Sequence, residues 1–510
     1  MTPAPIETVV IVGGGTAGWI TAAALAHLLR ASGVSVRLVE SDEIGTVGVG
    51  EATIPTIRDF NSLLGIDEDE MIRRTQGSFK LGIEFVDWLR PGHRYFHPFG
   101  THGRDTKTLR FHQLWLKLLH DGNIPGGVSG EGGIDRYNAA SLAARMGRFD
   151  KPHTDPNHPL STLNYAYHFD AALYARYLRQ WSEVRGVERI EGRIVAVDRD
   201  GESGSVRAVR LSSGIEVAGD LFVDCSGFRS LLLGETLGVP FVDWSAMLPA
   251  DRAVALPCGS VGPVLPFTKA TADTAGWRWR IPLQHRTGNG YVYSSGDLDD
   301  QAALERLLET IDGPPLGEPR FLRFMAGHRR CLWSKNVVAI GLSGGFLEPL
   351  ESTSIHLIQT GISRLMLLFP NRESSEFERA EFNRQSILEY EQIRDFLILH
   401  YVATERTDTP FWRRCRTLPL PESLQHRIAL FKSSGRIFRH SDELFTEDSW
   451  LAVMLGQGIV PVGHDRSADG IAPDRLQQQM AGLRNAMRRA VEPLPQHEDF
   501  LARHCRAASA

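Results

Sequence analysis

Three glycines near the N-terminus form the first pattern in this sequence that could bind a cofactor. Gly13, Gly15 and Gly18 are spaced as G-x-G-x-x-G, with Thr16 and Ala17 between the last two. Gly13 permits a tight turn, Gly15 lets the backbone approach a pyrophosphate, and Gly18 lets a helix pack closely on a strand. Free N–H groups at the start of such a helix attract phosphates. We therefore expect these five residues to bind the phosphates of a dinucleotide.

The elements around these glycines have the order that the pattern requires. Thr8–Val12 is an apolar, β-branched run typical of a strand that is buried on both faces. An alanine-rich helical stretch follows to Arg30, and a second strand, Val34–Val39, ends on Glu40. At this distance from the glycines, a carboxylate can accept hydrogen bonds from ribose hydroxyls. A glycine turn made for packing alone is the alternative, but strand, helix and acid together favour dinucleotide binding.

Strand patterns far downstream favour FAD over NAD. Residues 218–227 (AGDLFVDCSG) resemble the strand that returns to the FAD domain in glutathione-reductase-type flavoproteins, and Asn336–Gly341 resembles their last flavin-contacting strand. No second G-x-G-x-x-G follows a strand, so no separate nicotinamide site is expected. By this resemblance, FAD also contacts Gly50, Ile194, Asp224, Gly227 and Leu342.

The predicted fold is α/β, a glutathione-reductase-type FAD-binding fold with an inserted substrate-side region and a helical C-terminal part. One core is expected over residues 1–370, with cofactor-binding parts at 1–90, 150–240 and 325–370 and substrate-side insertions at 91–149 and 241–324. Further predicted strands are Arg189–Asp198, Ser205–Ser212, Glu216–Asp224 and Asn336–Ile340. Residues 90–150 are predicted to be loops, a helical segment is expected from Gly341 through Leu368, and residues 371–510 are expected to form the helical substrate-side region.

The composition excludes several classes of protein. A net charge of -5 and a pI near 6.4 carry no feature of nucleic-acid binding. The five cysteines are scattered and never spaced as CxxC, which argues against a zinc site or a disulfide framework and fits a reducing compartment. No stretch approaches the roughly 20 apolar residues of a membrane helix, and the first strand leaves no room for a removable signal. We expect a cytoplasmic protein that holds no metal.

Four further segments resemble those of the flavin-dependent halogenases, the family that includes the tryptophan halogenases. Residues 276–282 (GWRWRIP) match the family motif WxWxIP, and residues 78–83 (SFKLGI) match the KxGI element around its essential lysine. Residues 49–55 (VGEATIP) and 346–353 (FLEPLEST) match two other family segments. The resemblance runs from the N-terminus to about residue 370 and is thinner beyond. With both motifs on an FAD scaffold, the chain is identified as a member of this family.

The resemblance implies that reduced FAD, O2 and chloride or bromide form hypohalous acid, which halogenates an electron-rich aromatic substrate. Free hypohalous acid would oxidise methionines, cysteines and amines indiscriminately, so one internal amine must receive or hold it, and Lys80 is that residue by resemblance. Only the neutral amine is nucleophilic, and burial should lower its pKa from about 10.4. An N-haloamine and a hydrogen-bonded hypohalous acid both remain open. The alternative for a lone lysine is a solvated surface charge.

The resemblance also assigns the acid and the halide site. Glu351 would orient the halogenating species and remove the proton from the substrate ring. Glu348, three residues earlier, is the competing choice, and a carboxylate that only caps or pairs with the next helix is the structural alternative. Thr353 and Ser354 align with the backbone site that holds halide. Many relatives carry glycine in place of Ser354, so the preference between chloride and bromide stays open.

Aromatic residues are expected to surround the substrate. Trp277 and Trp279 alternate as on one face of a strand, where by resemblance they separate the flavin from the substrate pocket. His97 and Phe99 resemble the family's HxF pair beside the substrate, and Trp450 is a further candidate. Core packing is the alternative for all five.

The C-terminal part predicts that indole, or a larger indole- or phenol-bearing molecule, is a better substrate than free tryptophan. The tryptophan-specific relatives hold the amino-acid end with adjacent tyrosines and a glutamate, whereas this chain has no tyrosine after Tyr401. The nearest equivalent, residues 436–455, contains Phe438, Phe445, Trp450, Glu443 and Glu447. These side chains can hold an aromatic body but lack phenolic donors for a carboxylate. The alternative is that the three aromatic residues only pack the C-terminal helices.

Two other functions remain open. An aromatic hydroxylase on the same fold would carry Gly-Asp after its last flavin strand, where this chain has Gly341-Leu342. A non-catalytic flavin-binding protein would have no use for an amine at Lys80. For the halogenase, reduced FAD is expected to diffuse from a separate flavin reductase. The oligomeric state stays open, with a homodimer as one alternative.

Overall fold

The computed structural model describes residues 4–43, 50–128, 130–372, 376–440 and 442–508. The chain forms two compact units, each built from three segments. The first unit comprises Met1–Gly77, Phe169–Ser245 and Phe324–Glu391, and the second comprises Ser78–His168, Ala246–Arg323 and Gln392–Ala510. The predicted segment 1–90 spans the boundary at Gly77, so Lys80 belongs to the second unit.

The strands within the described residues are β1 (Thr8–Val12), β2 (Ser35–Glu40), β3 (Gly50–Ala52), β4 (Ser78–Lys80), β5 (Gly82–Val86), β6 (Arg94–Pro98), β7 (Ala166–Asp170), β8 (Glu188–Glu191), β9 (Ile194–Arg199), β10 (Val206–Leu211), β11 (Glu216–Ala218), β12 (Leu221–Asp224), β13 (Phe241–Asp243), β14 (Arg252–Ala255), β15 (Thr268–Asp273), β16 (Gly276–Pro282), β17 (Thr287–Tyr293), β18 (Arg320–Arg323), β19 (Gly327–Arg329), β20 (Trp333–Ser334), β21 (Val337–Ala339) and β22 (Gly345–Phe346).

The α-helices of the same residues are α1 (Thr16–Leu28), α2 (Thr56–Leu63), α3 (Glu68–Arg74), α4 (Phe111–His120), α5 (Ala139–Arg145), α6 (Ala171–Glu183), α7 (Asp300–Leu308), α8 (Ser354–Leu367), α9 (Glu376–Val402), α10 (Pro410–Cys415), α11 (Glu422–Ser434), α12 (Glu447–Gly456), α13 (Pro473–Val491) and α14 (His497–His504).

The first unit contains a parallel sheet with the strand order β20-β21-β12-β1-β2-β8, in which β20 alone is antiparallel to its neighbour among the described strands. The predicted unit of strand, glycine turn, helix and strand is present as β1, α1 and β2. Val9, Val10 and Ile11 of β1 are fully buried, as expected for a central parallel strand. The α/β class predicted from the sequence is confirmed.

Two predicted strands are each divided in the structure. The run predicted as Arg189–Asp198 breaks at Gly192, which has φ 151°, so β8 extends the parallel sheet while β9 pairs with β10. The run predicted as Glu216–Asp224 likewise divides into β11 and β12. Alternation along a sequence indicates extended backbone but not which partner strand each part will choose.

Two other sequence predictions are wrong in detail. Residues 90–150 are not only loops, because they contain β6, α4 and α5, and most of α4 is buried. The helix expected directly after Gly341 begins only at Ser354. Pro349 and the left-handed backbone of Ser352, with φ 60°, interrupt the segment before it.

The second unit contains a sheet with the strand order β18-β14-β17-β16-β15-β5-β6. Its neighbours are antiparallel except β15 and β5, which are parallel. The WxWxIP segment is β16, and it pairs along its length with β15 and β17. The short strand β4, which ends on Lys80, pairs with the first three residues of β7. Both family motifs therefore lie in the second unit.

Within the described ranges, no helix is long and apolar enough to cross a membrane. The same residues contain no group of three or more His, Cys, Asp or Glu side chains that could hold a metal ion.

The glycines after β1 allow backbone approaches that no side chain would permit. A Cβ on Gly13, which has φ 109°, would lie 2.4 Å from the carbonyl oxygen of Cys225. A Cβ on Gly18 would lie 1.9 Å from the carbonyl oxygen of Gly13. Both positions therefore require glycine for the fold itself. Gly15 differs, because its φ of -74° and ψ of -171° suit any residue.

This difference predicts that Gly15→Val removes FAD binding and leaves the fold intact, because a branched side chain would occupy the approach of the pyrophosphate. Fluorescence titration with FAD measures the affinity, and the thermal midpoint of the apoprotein measures the fold. Gly13→Val is the matched control and should lower the thermal midpoint. Unchanged FAD affinity in Gly15→Val would contradict the assignment.

Candidate active site

The N-terminus of α1 provides the anion-binding end of the predicted cofactor site. Gly15 is the N-cap residue, and no side chain of the described residues caps this end of the 13-residue helix. Its first turn also lacks an acidic residue. The N–H groups at Thr16 and Ala17 and the positive end of the helix dipole are therefore suited to phosphates. These features fit the pyrophosphate of FAD.

Glu40 lies at the end of β2, where the sequence predicts a ribose-binding carboxylate. Its Oε1 accepts hydrogen bonds from the guanidinium groups of Arg189 and Arg179, and its Oε2 accepts from the indole N–H of Trp19 at 3.3 Å. A Cβ on Gly14 would collide with this carboxylate, at 1.5 Å from Oε2. The carboxylate is thus held against the glycine turn, which is the place that the predicted role requires.

Asp224, predicted as a cofactor residue, uses its carboxylate to hold the protein's own backbone. One oxygen accepts hydrogen bonds from the backbone and hydroxyl of Ser226, and the other accepts from the N–H groups of Leu232 and Leu233, both at 2.8 Å. The side chain is fully buried. These bonds favour a structural role for Asp224, the fixing of the turn after β12.

Two other predicted cofactor residues lie in turns at the same edge of the parallel sheet. Gly227 follows β12 and Leu342 follows β21, and these two strands are parallel neighbours. Ser343 links the two turns, because its hydroxyl donates to the carbonyl of Asp224. Sequence reasoning missed Ser343, since one serine in a glycine-rich turn carries no distinctive pattern.

The remaining predicted cofactor residues begin short strands. Gly50 is the first residue of β3, and Ile194 is the first residue of β9. Ile194 packs against the hydrophobic core formed by Val209, Leu211 and their neighbours. Val49, which precedes Gly50 in the matched segment, lies outside the described residues.

Glu348 precedes a short 3-10 turn and Glu351 is its last residue, and both residues are 1% exposed. The turn ends at Ser352, whose left-handed backbone is uncommon for a residue other than glycine. Such a conformation costs of the order of 1–3 kcal/mol and persists only where the surrounding structure imposes it. The surrounding structure therefore imposes the backbone of this segment, and the choice between the two acids stays a prediction.

The N-terminus of α8 follows these acids and, like that of α1, has no side-chain cap among the described residues. Thr353 is the N-cap residue, is fully buried, and makes no side-chain capping bond. Its hydroxyl has no hydrogen-bond partner among the described residues. Ser354 is the first residue of the helix. Free backbone N–H groups and a buried hydroxyl donor suit a small anion, which agrees with the predicted halide site.

A buried polar network supports the first turns of α8 and was missed by the sequence analysis. His356 Nε2 donates to Glu389 at 2.9 Å, and its Nδ1 lies 3.0 Å from the hydroxyl of Thr56 on α2. Glu389 also accepts from Thr360 and Arg364. Burial would raise the pKa of Glu389, but the bonds to His356 and Arg364 outweigh it and lower that pKa. The network fixes the helix that carries the predicted halide site.

In the second unit, Lys80 is a completely buried lysine at the end of β4. Its Nζ lies 5.3 Å from the centre of the Phe99 ring, within the range of a cation–π contact. The preceding residue, Phe79, stacks on Phe149 with 4.2 Å between ring centres. The alternative of a solvated surface lysine is therefore excluded by the structure.

Trp277 and Trp279 extend from one face of β16, as their alternation predicts. Their ring centres are 6.2 Å apart, and the side chains are 1% and 9% exposed. Gly290 on β17 lies opposite Trp279, and a Cβ there would lie 2.1 Å from the indole ring. The neighbouring strand therefore leaves room for this indole. Trp277 also faces Trp88, at 6.4 Å between ring centres.

The other predicted substrate residues join an aromatic cluster. His97 lies 5.7 Å from Phe396, which stacks on Phe445 at 3.8 Å between ring centres. Trp450 meets Phe396 edge to face at 4.7 Å. All four side chains are buried. Sequence reasoning did not find Phe396, because it lies within the long helix α9.

Two residues of the predicted C-terminal substrate wall are packed within the unit. Trp450 is 1% exposed, and the guanidinium of Arg427 lies 4.2 Å from the centre of its ring. Arg427 also pairs with buried Glu443 at 2.7 Å, so this carboxylate is committed to an ion pair. Phe445 is buried in the cluster, whereas Phe438 is exposed. The packing alternative is therefore favoured for Phe445 and for Trp450.

Comparison with known proteins agrees with this geometry. The family model described as tryptophan halogenase matches residues 8–473. Tryptophan 6-halogenase SttH of Streptomyces toxytricini is 37% identical over 97% of this chain and 98% of its own length. The structure of Xcc4156, a flavin-dependent halogenase from Xanthomonas campestris, is 49% identical with a TM-score of 0.94 and covers 99% of this chain and 100% of that chain. BrvH, a flavin-dependent halogenase from Brevundimonas sp. BAL3, is 47% identical with a TM-score of 0.93 over 98% and 99% of the two chains. The chain belongs to the tryptophan halogenase family of flavin-dependent halogenases, and it is an enzyme of that class.

Proposed function

We propose that this halogenase uses Lys80 to receive hypohalous acid and transfers the halogen to an electron-rich aromatic ring of the indole type. Reduced FAD, delivered by a separate flavin reductase, supplies hypohalous acid from O2 and chloride or bromide. The protein's own residues bind the cofactor, hold the halide, retain the oxidant and orient the substrate. The haloamine and the hydrogen-bonded acid remain alternatives for the species held at Lys80.

The observation that carries the proposal is the complete burial of Lys80 beside the ring of Phe99. Burying an amine is costly, because its charged form loses hydration. A dry site also protects hypohalous acid from water and from other side chains until a substrate is present. A hydroxylase or a non-catalytic flavin protein has no need of such an amine.

We assign halide binding to the N-terminus of α8, at Thr353 and Ser354, where a helix end without a side-chain cap begins beside the buried hydroxyl of Thr353. Glu351 is assigned as the base that accepts the proton from the substrate ring after electrophilic attack. It is buried and lies directly before the left-handed residue Ser352. Glu348, equally buried, is the competing candidate.

Indole is favoured over free tryptophan by the C-terminal part of the second unit. Trp450 and Phe445 are packed, and Glu443 is paired with Arg427, so these groups offer little to a zwitterion. A carboxylate and an ammonium group without partners would lose hydration without compensation. The name of the relative SttH favours tryptophan as the second candidate, whereas the names of Xcc4156 and BrvH include no amino-acid substrate.

Lys80→Ala should abolish halogenation while FAD binding and consumption of reduced FAD continue. The expected loss is at least about a thousandfold, because an oxidant held beside the substrate has an effective molarity of about 10^5 M or more. Single-turnover assays that measure product and reduced FAD separately test this. Lys80→Met, which fills the space without an amine, is the matched control and should show the same loss. A tenth of the wild-type product rate in either variant would refute the role of Lys80.

Glu351→Gln should slow turnover by roughly 10^2 to 10^4, the usual contribution of a general base. Glu348→Gln, an equally conservative change at an equally buried carboxylate, should do markedly less. The comparison needs kcat for both variants at saturating halide and substrate. The reverse ranking would move the assignment of the base to Glu348.

Indole should have a higher kcat/KM than tryptophan at equal bromide concentration. Mass spectrometry of the product checks the reaction, since halogenation replaces one hydrogen by bromine whereas hydroxylation adds one oxygen. A tenfold or greater preference for tryptophan would mean that the second unit contains a clamp for the amino-acid group. It would leave the halogenase assignment unchanged.

A further inference from the structure

Lys80 ends a strand that is too short to fix a side chain by its own pairing. β4 has three residues, and Ser78, Phe79 and Lys80 pair with the first three residues of β7. Ser78 and Lys80 point to the same face of the strand, and Phe79 points to the other. All three are buried. The contacts that hold Ser78 and Phe79 therefore contribute to the position of the amine.

Ser78 is held by a chain of hydrogen bonds that runs through His168. The Ser78 hydroxyl donates to the Pro282 carbonyl at 2.6 Å, so it can only accept from His168 Nδ1, at 3.1 Å. His168 Nδ1 therefore carries the proton. Its Nε2 lies 2.9 Å from the hydroxyl of Thr268, which can accept from a charged ring or donate to a neutral one. Burial of His168 favours the neutral ring, in which Nε2 accepts.

This chain joins the lysine strand to the sheet that carries the two tryptophans. Pro282 is the last residue of β16, and Thr268 is the first residue of β15. A shift of β4 would break the bonds of Ser78 to Pro282 and to His168 inside a buried region, where unmade hydrogen bonds are costly. The position of Lys80 is thereby tied to the strand that holds Trp277 and Trp279.

Phe79 is held from the other edge of β4 by a second histidine. Its backbone N–H donates to His497 Nε2 at 3.1 Å, and His497 Nδ1 donates to the Val264 carbonyl at 2.6 Å. The ring of His497 must be neutral, because Nε2 accepts this hydrogen bond and therefore carries no proton. The contact joins residues 418 positions apart in the chain. His497 is the first residue of α14, so the C-terminal helix takes part in fixing the lysine strand.

The electrostatic environment agrees with two neutral rings. Burial lowers the pKa of His168 well below its usual range, and positive charge on Lys80, His497 and Arg280 lowers it further. Burial also lowers the pKa of His497, to about 4, against the opposing effect of the bond to Val264. Neutral imidazoles supply strong, directed hydrogen bonds without a second positive charge beside a buried amine.

The residue after the lysine is fixed as well. The Leu81 N–H donates to the Pro266 carbonyl at 2.7 Å, and the Leu81 carbonyl accepts from the N–H of Phe99 at 2.9 Å. The second bond holds the residue whose ring lies beside Lys80 Nζ. Hydrogen bonds therefore hold Ser78 and Phe79, which precede Lys80 in the chain, and Leu81, which follows it.

We propose that His168 and His497 are positioning residues for Lys80: two buried imidazoles, through their hydrogen bonds, fix the strand from which the amine reaches its oxidant. The inference rests on the proposed role of Lys80. Its consequence is specific, since a displaced amine would still be present but would retain less of the hypohalous acid that the enzyme makes. Loss of the histidine contacts should uncouple oxidant formation from halogenation.

The test compares Ser78→Ala, Thr268→Val and His497→Leu with the wild type. Each reaction mixture contains bromide, catalase and the aromatic compound that the wild type halogenates best. It also contains a soluble thioether, which escaping hypohalous acid oxidises to a sulfoxide. Halogenated product and sulfoxide are both expressed per reduced FAD consumed. Ser141→Ala is the matched control, because the buried hydroxyl of Ser141 makes no hydrogen bond within the described residues.

The expected result is a fall in halogenated product of about tenfold in each variant, since small displacements of a reacting group are costly. Sulfoxide should rise so that the sum of the two products is conserved, and the control should match the wild type. Wild-type coupling in all three variants would overturn the inference while the role of Lys80 stands. Product and sulfoxide falling together with the thermal midpoint would also overturn it, since this pattern indicates a merely structural role. Wild-type coupling in Lys80→Ala would instead contradict the proposed function.

Discussion

The burial of one amine is the constraint that the second unit is built around. Lys80 is fully enclosed, and an enclosed amine loses the hydration that stabilises its charged form. Two aromatic residues, Phe79 and Phe99, and two histidines whose pKa values are lowered by burial lie on or beside the strand that carries it. The hydrogen bonds of His168 and His497 also fix the strand, so one arrangement provides both the electrostatic environment and the position.

The first unit depends on a different condition, the close approach of backbone segments. Gly13 and Gly18 bring the turn after β1 into contact with Cys225 and with itself, which leaves the N-terminus of α1 open to an anion. Asp224 then holds the turn after β12, and Ser343 ties it to the turn after β21. A parallel sheet collects its ligand-binding loops at the carboxyl ends of its strands. Polar side chains that touch no ligand therefore shape the site as much as the glycines do.

The segment from Glu348 to Ser354 combines a strained backbone with buried polar groups. Both features lower the stability of the fold, and the surrounding structure holds them in place. Ser352 adopts a left-handed backbone, Thr353 keeps a buried hydroxyl without a partner among the described residues, and both acids are enclosed. The network of His356 and Glu389 stabilises the helix that follows. Such combinations occur where the surrounding structure imposes a geometry that function requires.

The sequence by itself determined the βαβ unit, the glycine turn, the acid at the end of β2 and the motifs around Lys80 and Trp277, because each is a local pattern of spacing and periodicity. The tertiary structure decided which polar and aromatic residues serve the protein's own packing. Asp224 holds a turn, Glu443 pairs with Arg427, and Trp450 lies in the core. It also supplied His168 and His497, whose partners are 90 and 418 residues away. Contacts at such separations leave no periodic trace in a single sequence, since they depend on how whole elements pack.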